Sequence, residues 1–300
     1  MVHTDTGRPI QGSEVSIGKT GNITVELPKG VDMDNKHQVT VIVTDPQKVP
    51  QKNINVIVKN DLGDKATGKT DKNGEVTVPE VERTEHHSAY VVGYTDGTFG
   101  PERNMTRSEA AAIFARLLAD KNGDNISPVA KTKFSDVPAY AWYSGYVKYL
   151  NNNGVTYGHS KTIFAPDEQI TRAEFTTMAV RFFDVYGDGD AEIMEQFKSF
   201  DDVSDGYWAA EYIKAAAKHG WITGYGDGSF RADRQITRAE VMTIVNRLLG
   251  RAADLEYVSD NLRKLNTFPD VSRRYWAYSD ILEAANAHNA ILGTEESWYK

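Results

Sequence analysis

The sequence holds no cysteine, which excludes a disulfide framework, thiolate chemistry and cysteine-based zinc sites. No apolar run approaches the length of a membrane span, and the Met1-Val2-His3 start carries no secretory signal. Positive charge is in short supply: 34 Lys and Arg against 42 Asp and Glu give a formal net charge of −8 and a pI near 5.4. That balance disfavours nucleic acid as a partner. It also requires any anion site to be local, built from a few aimed cations. The seven histidines, adjacent His86 and His87 among them, show no metal-binding spacing. Asp120-Lys121-Asn122-Gly123-Asp124 starts like a calcium loop, but Asn125 stands where Gly is needed and Lys131 where Glu is needed. Asp184-Val185-Tyr186-Gly187-Asp188-Gly189-Asp190 spaces its acids without completing the pattern, and both stretches read as solvated loops. Phosphate loops, nucleophile elbows and dinucleotide fingerprints are absent as well. Neither a metal nor another cofactor is expected.

What the chain does have is repetition. Met105-Thr106-Arg107-Ser108-Glu109, Ile170-Thr171-Arg172-Ala173-Glu174 and Ile236-Thr237-Arg238-Ala239-Glu240 recur at spacings of 65 and 66 residues. In each copy Thr can serve as N-cap and Glu at N3 can reach back to it, forming a capping box. Met105/Ala110, Ile170/Phe175 and Ile236/Val241 sit where a hydrophobic staple would close. The arginine is the odd member. At N1 it faces the positive end of the helix dipole, where an acid is favoured by about 0.3–1 kcal/mol. It is either a surface residue paired with an acid or part of an anion site that combines a guanidinium fork with free helix N–H groups. Arg116, Arg181 and Arg247 also repeat, but near helix C-termini, where the dipole itself welcomes them.

Two further signatures keep the same period. Gly93-Tyr94-Thr95-Asp96-Gly97-Thr98-Phe99 and Gly224-Tyr225-Gly226-Asp227-Gly228-Ser229-Phe230 read as turns entering the capped helices. The middle copy, Gly158-His159-Ser160-Lys161-Thr162-Ile163-Phe164, keeps only the first Gly and the Phe, which puts its groove in doubt. Phe134/Asp136/Val137/Trp142, Phe200/Asp202/Val203/Trp208 and Phe268/Asp270/Val271/Trp276 form the third signature. Helical stripes follow both kinds of start, at Ala110/Ile113/Phe114/Leu117 and its equivalents, and at Tyr143/Val147/Leu150 and its equivalents. Units this small hide little apolar surface alone, so they must stack.

The ordered set of signatures resembles the S-layer homology module of bacterial surface proteins. The resemblance implies an all-α array of three modules forming a three-pronged spindle, and non-covalent anchoring to secondary cell-wall polysaccharide. It further implies an anionic ligand, a pyruvyl ketal on the sugar, held in grooves between prongs with the Arg of Thr-Arg-Ala-Glu in the site. The phasing departs from the usual order. Half modules at 86–118 and 268–300 flank complete modules at 134–184 and 200–250, so the ends are expected to complete one another in a circularly phased array spanning 86–300. The family also implies export, so the chain is expected to be a mature part or fragment acting at the cell wall or cell surface, without membrane insertion.

Residues 1–82 differ in kind. Val39/Val41/Val43 and Ile54/Val56/Val58 alternate, and Asp71-Lys72-Asn73-Gly74 supplies a turn, which reads as an antiparallel β-sandwich resembling bacterial immunoglobulin-like spacer domains. Residues 79–86 read as a polar linker. The candidate ligand-binding residues are Arg107, Arg172 and Arg238; Asp136, Asp202 and Asp270; Trp142, Trp208 and Trp276; Gly93, Gly158 and Gly224; and Tyr94 and Tyr225. Bland roles compete for several of them: turn formation for Asp, core packing for Trp, backbone conformation for Gly. A non-catalytic polysaccharide anchor leads. The alternatives are a structural protein assembling laterally with other surface-layer subunits and a glycan-cleaving enzyme, although equivalent acids repeated three times fit avidity better than catalysis.

Overall fold

The computed structural model describes residues 2–3, 14–17, 23–26, 39–59, 65–78, 83–186, 199–292 and 297–299. Gly187, Asp188, Gly189 and Asp190 of the second acidic loop, and residues 79–82 of the expected linker, lie outside these. The chain divides into two compact units, residues 1–86 with 289–300, and residues 87–288.

The first unit contains β1 (Val2–His3), β2 (Glu14–Ile17), β3 (Ile23–Glu26), β4 (Val39–Ile42), β5 (Asn55–Lys59), β6 (Lys65–Lys69) and β7 (Glu75–Val78). They form sheets ordered β1-β4-β7 and β2-β3-β5-β6. Alternation places Val25, Val41, Val56, Val58 and Val76 in a small core. The expected turn is present: Asp71 Oδ1 accepts the N–H groups of Asn73 and Glu75, and Gly74 takes φ 72°. Its Cβ, if it had one, would lie 2.4 Å from the Val43 carbonyl oxygen. The expectation of a wholly antiparallel unit fails at one pair, because β3 and β5 run parallel. The connection between them passes through β4 in the other sheet and returns in the same direction, the crossover that a parallel pair requires. β8 (Arg83–His87), β9 (His288–Leu292) and β10 (Ser297–Tyr299) make a third sheet, so residues 83–86 are strand rather than linker. Beyond Asn286 the helical pattern ends, and residues 289–300 group with the first unit.

The second unit is helical: α1 (Arg107–Asn122), α2 (Ser144–Asn152), α3 (Arg172–Tyr186), α4 (Ala210–Lys218), α5 (Arg238–Leu249), α6 (Leu255–Asn261) and α7 (Tyr278–Ala285). Capping boxes start α1 and α5, and reciprocal bonds between Thr171 and Glu174 start α3. Every expected stripe is buried, including Phe114, Phe175 and Val241 at 0 % exposure. Each capped helix packs on the helix that follows the next Phe-x-Asp signature: α1 on α2, α3 on α4, α5 on α7.

Three staple residues link the copies. The Met105 N–H donates to Ile236 O (3.0 Å), the Ile236 N–H to Ile170 O (3.1 Å) and the Ile170 N–H to Met105 O (2.9 Å). This closed ring of backbone hydrogen bonds is fully buried at all three side chains. It satisfies backbone groups that would otherwise be stranded in the core.

Candidate functional site

The ring determines what the helix starts can offer. At N1 the amides of Arg107, Arg172 and Arg238 donate to the carbonyls of Glu168, Arg234 and Arg103 at 2.8–2.9 Å. At N2, Ser108, Ala173 and Ala239 donate to Pro166, Ala232 and Pro101. The N3 amides go to the capping threonines. No free helix N–H remains beside these arginines, so that half of the expected anion site is corrected.

The arginines are buried, at 4, 6 and 5 % exposure. Each Nε donates to a phenylalanine carbonyl of the loop that follows in the ring: Arg107 to Phe164 (2.8 Å), Arg172 to Phe230 (2.9 Å) and Arg238 to Phe99 (3.0 Å). Arg107 Nη1 lies 3.1 Å from Glu174 Oε1, and Arg172 Nη1 lies 3.1 Å from Glu240 Oε1. Arg238 instead donates Nη2 to Val92 O at 3.1 Å. Burial pulls all three guanidinium pKa values down; Glu174 and Glu240 oppose this for the first two, and Tyr94 and Glu109 for the third. Burial likewise disfavours ionised Glu174 and Glu240. The N-cap amides, then His159 or Tyr225, and the arginines outweigh it and hold both carboxyls below their ordinary value.

Two grooves open beside these pairs. The first, about 420 Å³, is lined by Arg107, Gly158, His159, Glu174, Arg181 and Trp208, among others. The second, about 260 Å³, presents the corresponding Arg172, Gly224, Tyr225, Glu240, Arg247 and Trp276. Two successive capping boxes, the glycine-led loop between them and the tryptophan of the following Phe-x-Asp signature thus contribute to one groove. The middle loop still lines a groove. His159 Nε2 sits 2.7 Å from Glu174 Oε1, where in the other groove the Tyr225 hydroxyl donates to Glu240 Oε1 at 2.6 Å. An imidazole occupies the place of a phenol. Tyr94, the third equivalent, lies under Arg238, with the guanidinium carbon 4.8 Å from the ring centroid.

The tryptophans are not core residues. Trp142, Trp208 and Trp276 are 53, 57 and 59 % exposed because each stands two residues ahead of its helix, off the buried stripe. The aspartates face elsewhere. Asp136 accepts the N–H groups of Phe164 and Ala165, Asp202 those of Phe230 and Arg231, and Asp270 those of Phe99 and Gly100, at 2.7–3.2 Å. Both carboxylate oxygens are committed to loop backbone, and neither groove is lined by one of them. The first glycine of each loop admits the phenylalanine of Phe-x-Asp. A Cβ on Gly93, Gly158 or Gly224 would come within 2.4–2.5 Å of the Phe268, Phe134 or Phe200 ring.

Arg181 and Arg247, read from the sequence as helix-dipole partners only, line the grooves, as do Glu174 and Glu240. The threefold recurrence of these residues was the available signal. Among the described residues one other group stands out, outside the grooves: buried His87, Glu283 and His288.

The S-layer homology domain model matches residues 86–111, 133–176 and 199–242. Cell surface glycoprotein 1 of Acetivibrio thermocellus is 37 % identical over 217 residues, 70 % of this chain and 9 % of that protein. The cellulosome-anchoring protein of the same organism is 36 % identical over 226 residues, 74 % of this chain and 47 % of that protein. An S-layer protein of Bacillus licheniformis is 30 % identical over 155 residues, 52 % of this chain and 17 % of that protein. The chain therefore spans less than half the length of each of these relatives. Among the described residues, no helix is long and apolar enough to cross a membrane. The chain carries S-layer homology domains at residues 86–111, 133–176 and 199–242, all but His86 within its helical unit.

Proposed function

We propose that the helical unit anchors a surface protein to the bacterial cell wall, without catalysis, by binding an anionic, pyruvylated secondary cell-wall polysaccharide in the grooves. One observation carries the reading. Each groove sets two arginines against a single glutamate, with an exposed tryptophan at its margin. The buried arginine is held rigid by a loop carbonyl, so its fork is already oriented for a carboxylate. The indole offers an apolar face to a sugar ring. Arg107, Arg172, Arg238, Trp208, Trp276, Trp142, Tyr225 and Tyr94 are the proposed ligand contacts, joined by Arg181 and Arg247. Asp136, Asp202 and Asp270 shape the loops.

The relatives named as anchoring and surface proteins support attachment at the cell surface. The groove chemistry argues against glycan hydrolysis. Each groove has one carboxylate, and the neighbouring N–H, phenol or imidazole and guanidinium groups keep it ionised, whereas hydrolysis needs a second carboxyl held as an acid. We further infer that the half module expected at 86–118 is completed by residues 268–288 of the expected 268–300, since 289–300 group with the first unit, giving one module of a circularly phased, three-pronged array beside modules at 134–184 and 200–250. The grip of Asp270 on Phe99 and Gly100 supports this. Residues 1–82 are read as an immunoglobulin-like spacer. Lateral assembly with other surface-layer subunits is the second reading, favoured by the similarity to an S-layer protein.

Sedimentation with purified cell walls tests the anchor. The chain should pellet with intact walls, remain in solution when the secondary polysaccharide has been stripped, and leave peptidoglycan uncleaved. Equal pelleting with stripped walls would overturn the reading.

A further inference from the structure

His87 is the first residue of the helical unit and His288 the last, yet their rings meet edge to face with centroids 5.0 Å apart. Glu283, on α7, completes the group. The three side chains are 3, 6 and 1 % exposed respectively. His87 Nδ1 lies 3.2 Å from His288 Nε2 and 3.6 Å from Glu283 Oε1, and His288 Nε2 lies 3.4 Å from Glu283 Oε2.

Neither oxygen of Glu283 accepts a hydrogen bond among the described residues. A carboxylate removed from water without donors is costly, and such a group calls for an explanation. The spacing supplies one. A zinc ion about 2.0–2.1 Å from each donor puts tetrahedral ligands about 3.3 Å apart. The two imidazole nitrogens, 3.2 Å apart, match that value, and Glu283 sets Oε2 3.4 Å from His288 Nε2 and Oε1 3.6 Å from His87 Nδ1, so its carboxylate faces the same point.

The surroundings orient the ligands. His288 Nδ1 lies 3.0 Å from the Asn286 carbonyl, an acceptor only, so Nδ1 carries the proton and the Nε2 lone pair points at the cluster. Asn286 is itself fixed: its side chain donates to Asn266 O and Leu282 O and accepts from the Asn266 N–H. Two imidazole nitrogens and one carboxylate form a donor set that suits zinc and similar divalent transition ions, whereas calcium and magnesium prefer all-oxygen shells.

We propose that His87, Glu283 and His288 bind a divalent transition-metal ion, zinc by preference, as a structural clasp between the two ends of the helical unit. The ion bridges residues 201 positions apart, a cross-link that this cysteine-free chain cannot make through sulfur. It is separate from the polysaccharide grooves, so the proposal stands or falls independently of them.

The full chain, stripped with a chelator and returned to metal-free buffer, should take up one equivalent of Zn²⁺ in a calorimetric titration. Its Tm should rise by about 5–10 °C at a hundredfold excess over Kd. His288→Gln and Glu283→Gln should lose both effects. No stoichiometric uptake by folded wild-type protein would overturn the proposal, as would undiminished uptake and stabilisation in both variants. If the variants fail to fold, anomalous scattering at the zinc edge from Zn²⁺-soaked wild-type crystals decides. A peak between His87 and His288 supports the clasp, and a zinc-loaded crystal without one refutes it.

Discussion

Arg172 Nη1 lies 3.1 Å from Glu240 Oε1, joining the first helical residue of one capping box to the third of the next. Glu240 has two tasks. Its Oε2 accepts the Thr237 N–H and completes the cap, while Oε1 receives Arg172, Arg234 and Tyr225. Arg107 and Glu174 repeat the relationship at the preceding junction. The arginine that is out of place for its own helix therefore serves the neighbouring copy, and it does so at the wall of a groove.

Arg172→Ala should lose both stability and binding. It removes the guanidinium from Phe230 O and leaves Glu240 without its most buried cation, at an expected cost of about 1.5–3 kcal/mol in urea denaturation. Arg247 is exposed on the same groove. Arg247→Ala should change stability by less than about 0.5 kcal/mol while weakening polysaccharide binding. Equal destabilisation by the two variants would contradict this division of roles.

Asp202→Ala should loosen the loop it grips. The Phe230 and Arg231 N–H groups lose their acceptor, and the expected destabilisation is about 1.5–3 kcal/mol. Hydrogen exchange should accelerate first at these two amides; uniform acceleration across α5 would count against a local clamp.

Acid should weaken the junctions in a defined direction. The carboxyls of Glu174 and Glu240 are held below their ordinary value in the folded protein. Their stabilising contribution is therefore complete above the unfolded carboxyl pKa, and it disappears as pH falls through the lower folded value. Thermal melts from neutral to acidic pH should show a smaller drop in Tm for Glu240→Gln than for wild type. Parallel curves would remove Glu240 from the acid response.

Deleting residues 268–300 removes Phe268 and Asp270, which hold the loop at 93–100. Under circular phasing, hydrogen-exchange protection should fall at Phe99, Gly100 and α1. Unchanged protection would mean that the two ends do not form one module.

What could be read from the sequence was local. Capping boxes, staples and buried stripes rest on contacts three or four residues apart, so Thr106, Glu109, Ile113 and Phe114 announced themselves. Asp136 was ambiguous because the amides it holds are 28 and 29 residues away. The free N–H groups expected beside Arg107 were already taken by Glu168 and Pro166, a consequence of how the copies interlock and not of any one copy. For Trp208 core packing competed with ligand contact, because its side of the stripe depends on where α4 starts, at Ala210. His87, Glu283 and His288 gave no spacing signal, since two of them lie 201 residues apart.

The most direct measurement is a binding titration of purified secondary cell-wall polysaccharide against wild type and an Arg181→Ala/Arg247→Ala variant, using native polymer and polymer stripped of its pyruvyl groups by mild acid. Native polymer should bind wild type at least tenfold more tightly than it binds the folded variant, and stripping should abolish the difference. Equal affinity across all four combinations would contradict anion recognition in the grooves.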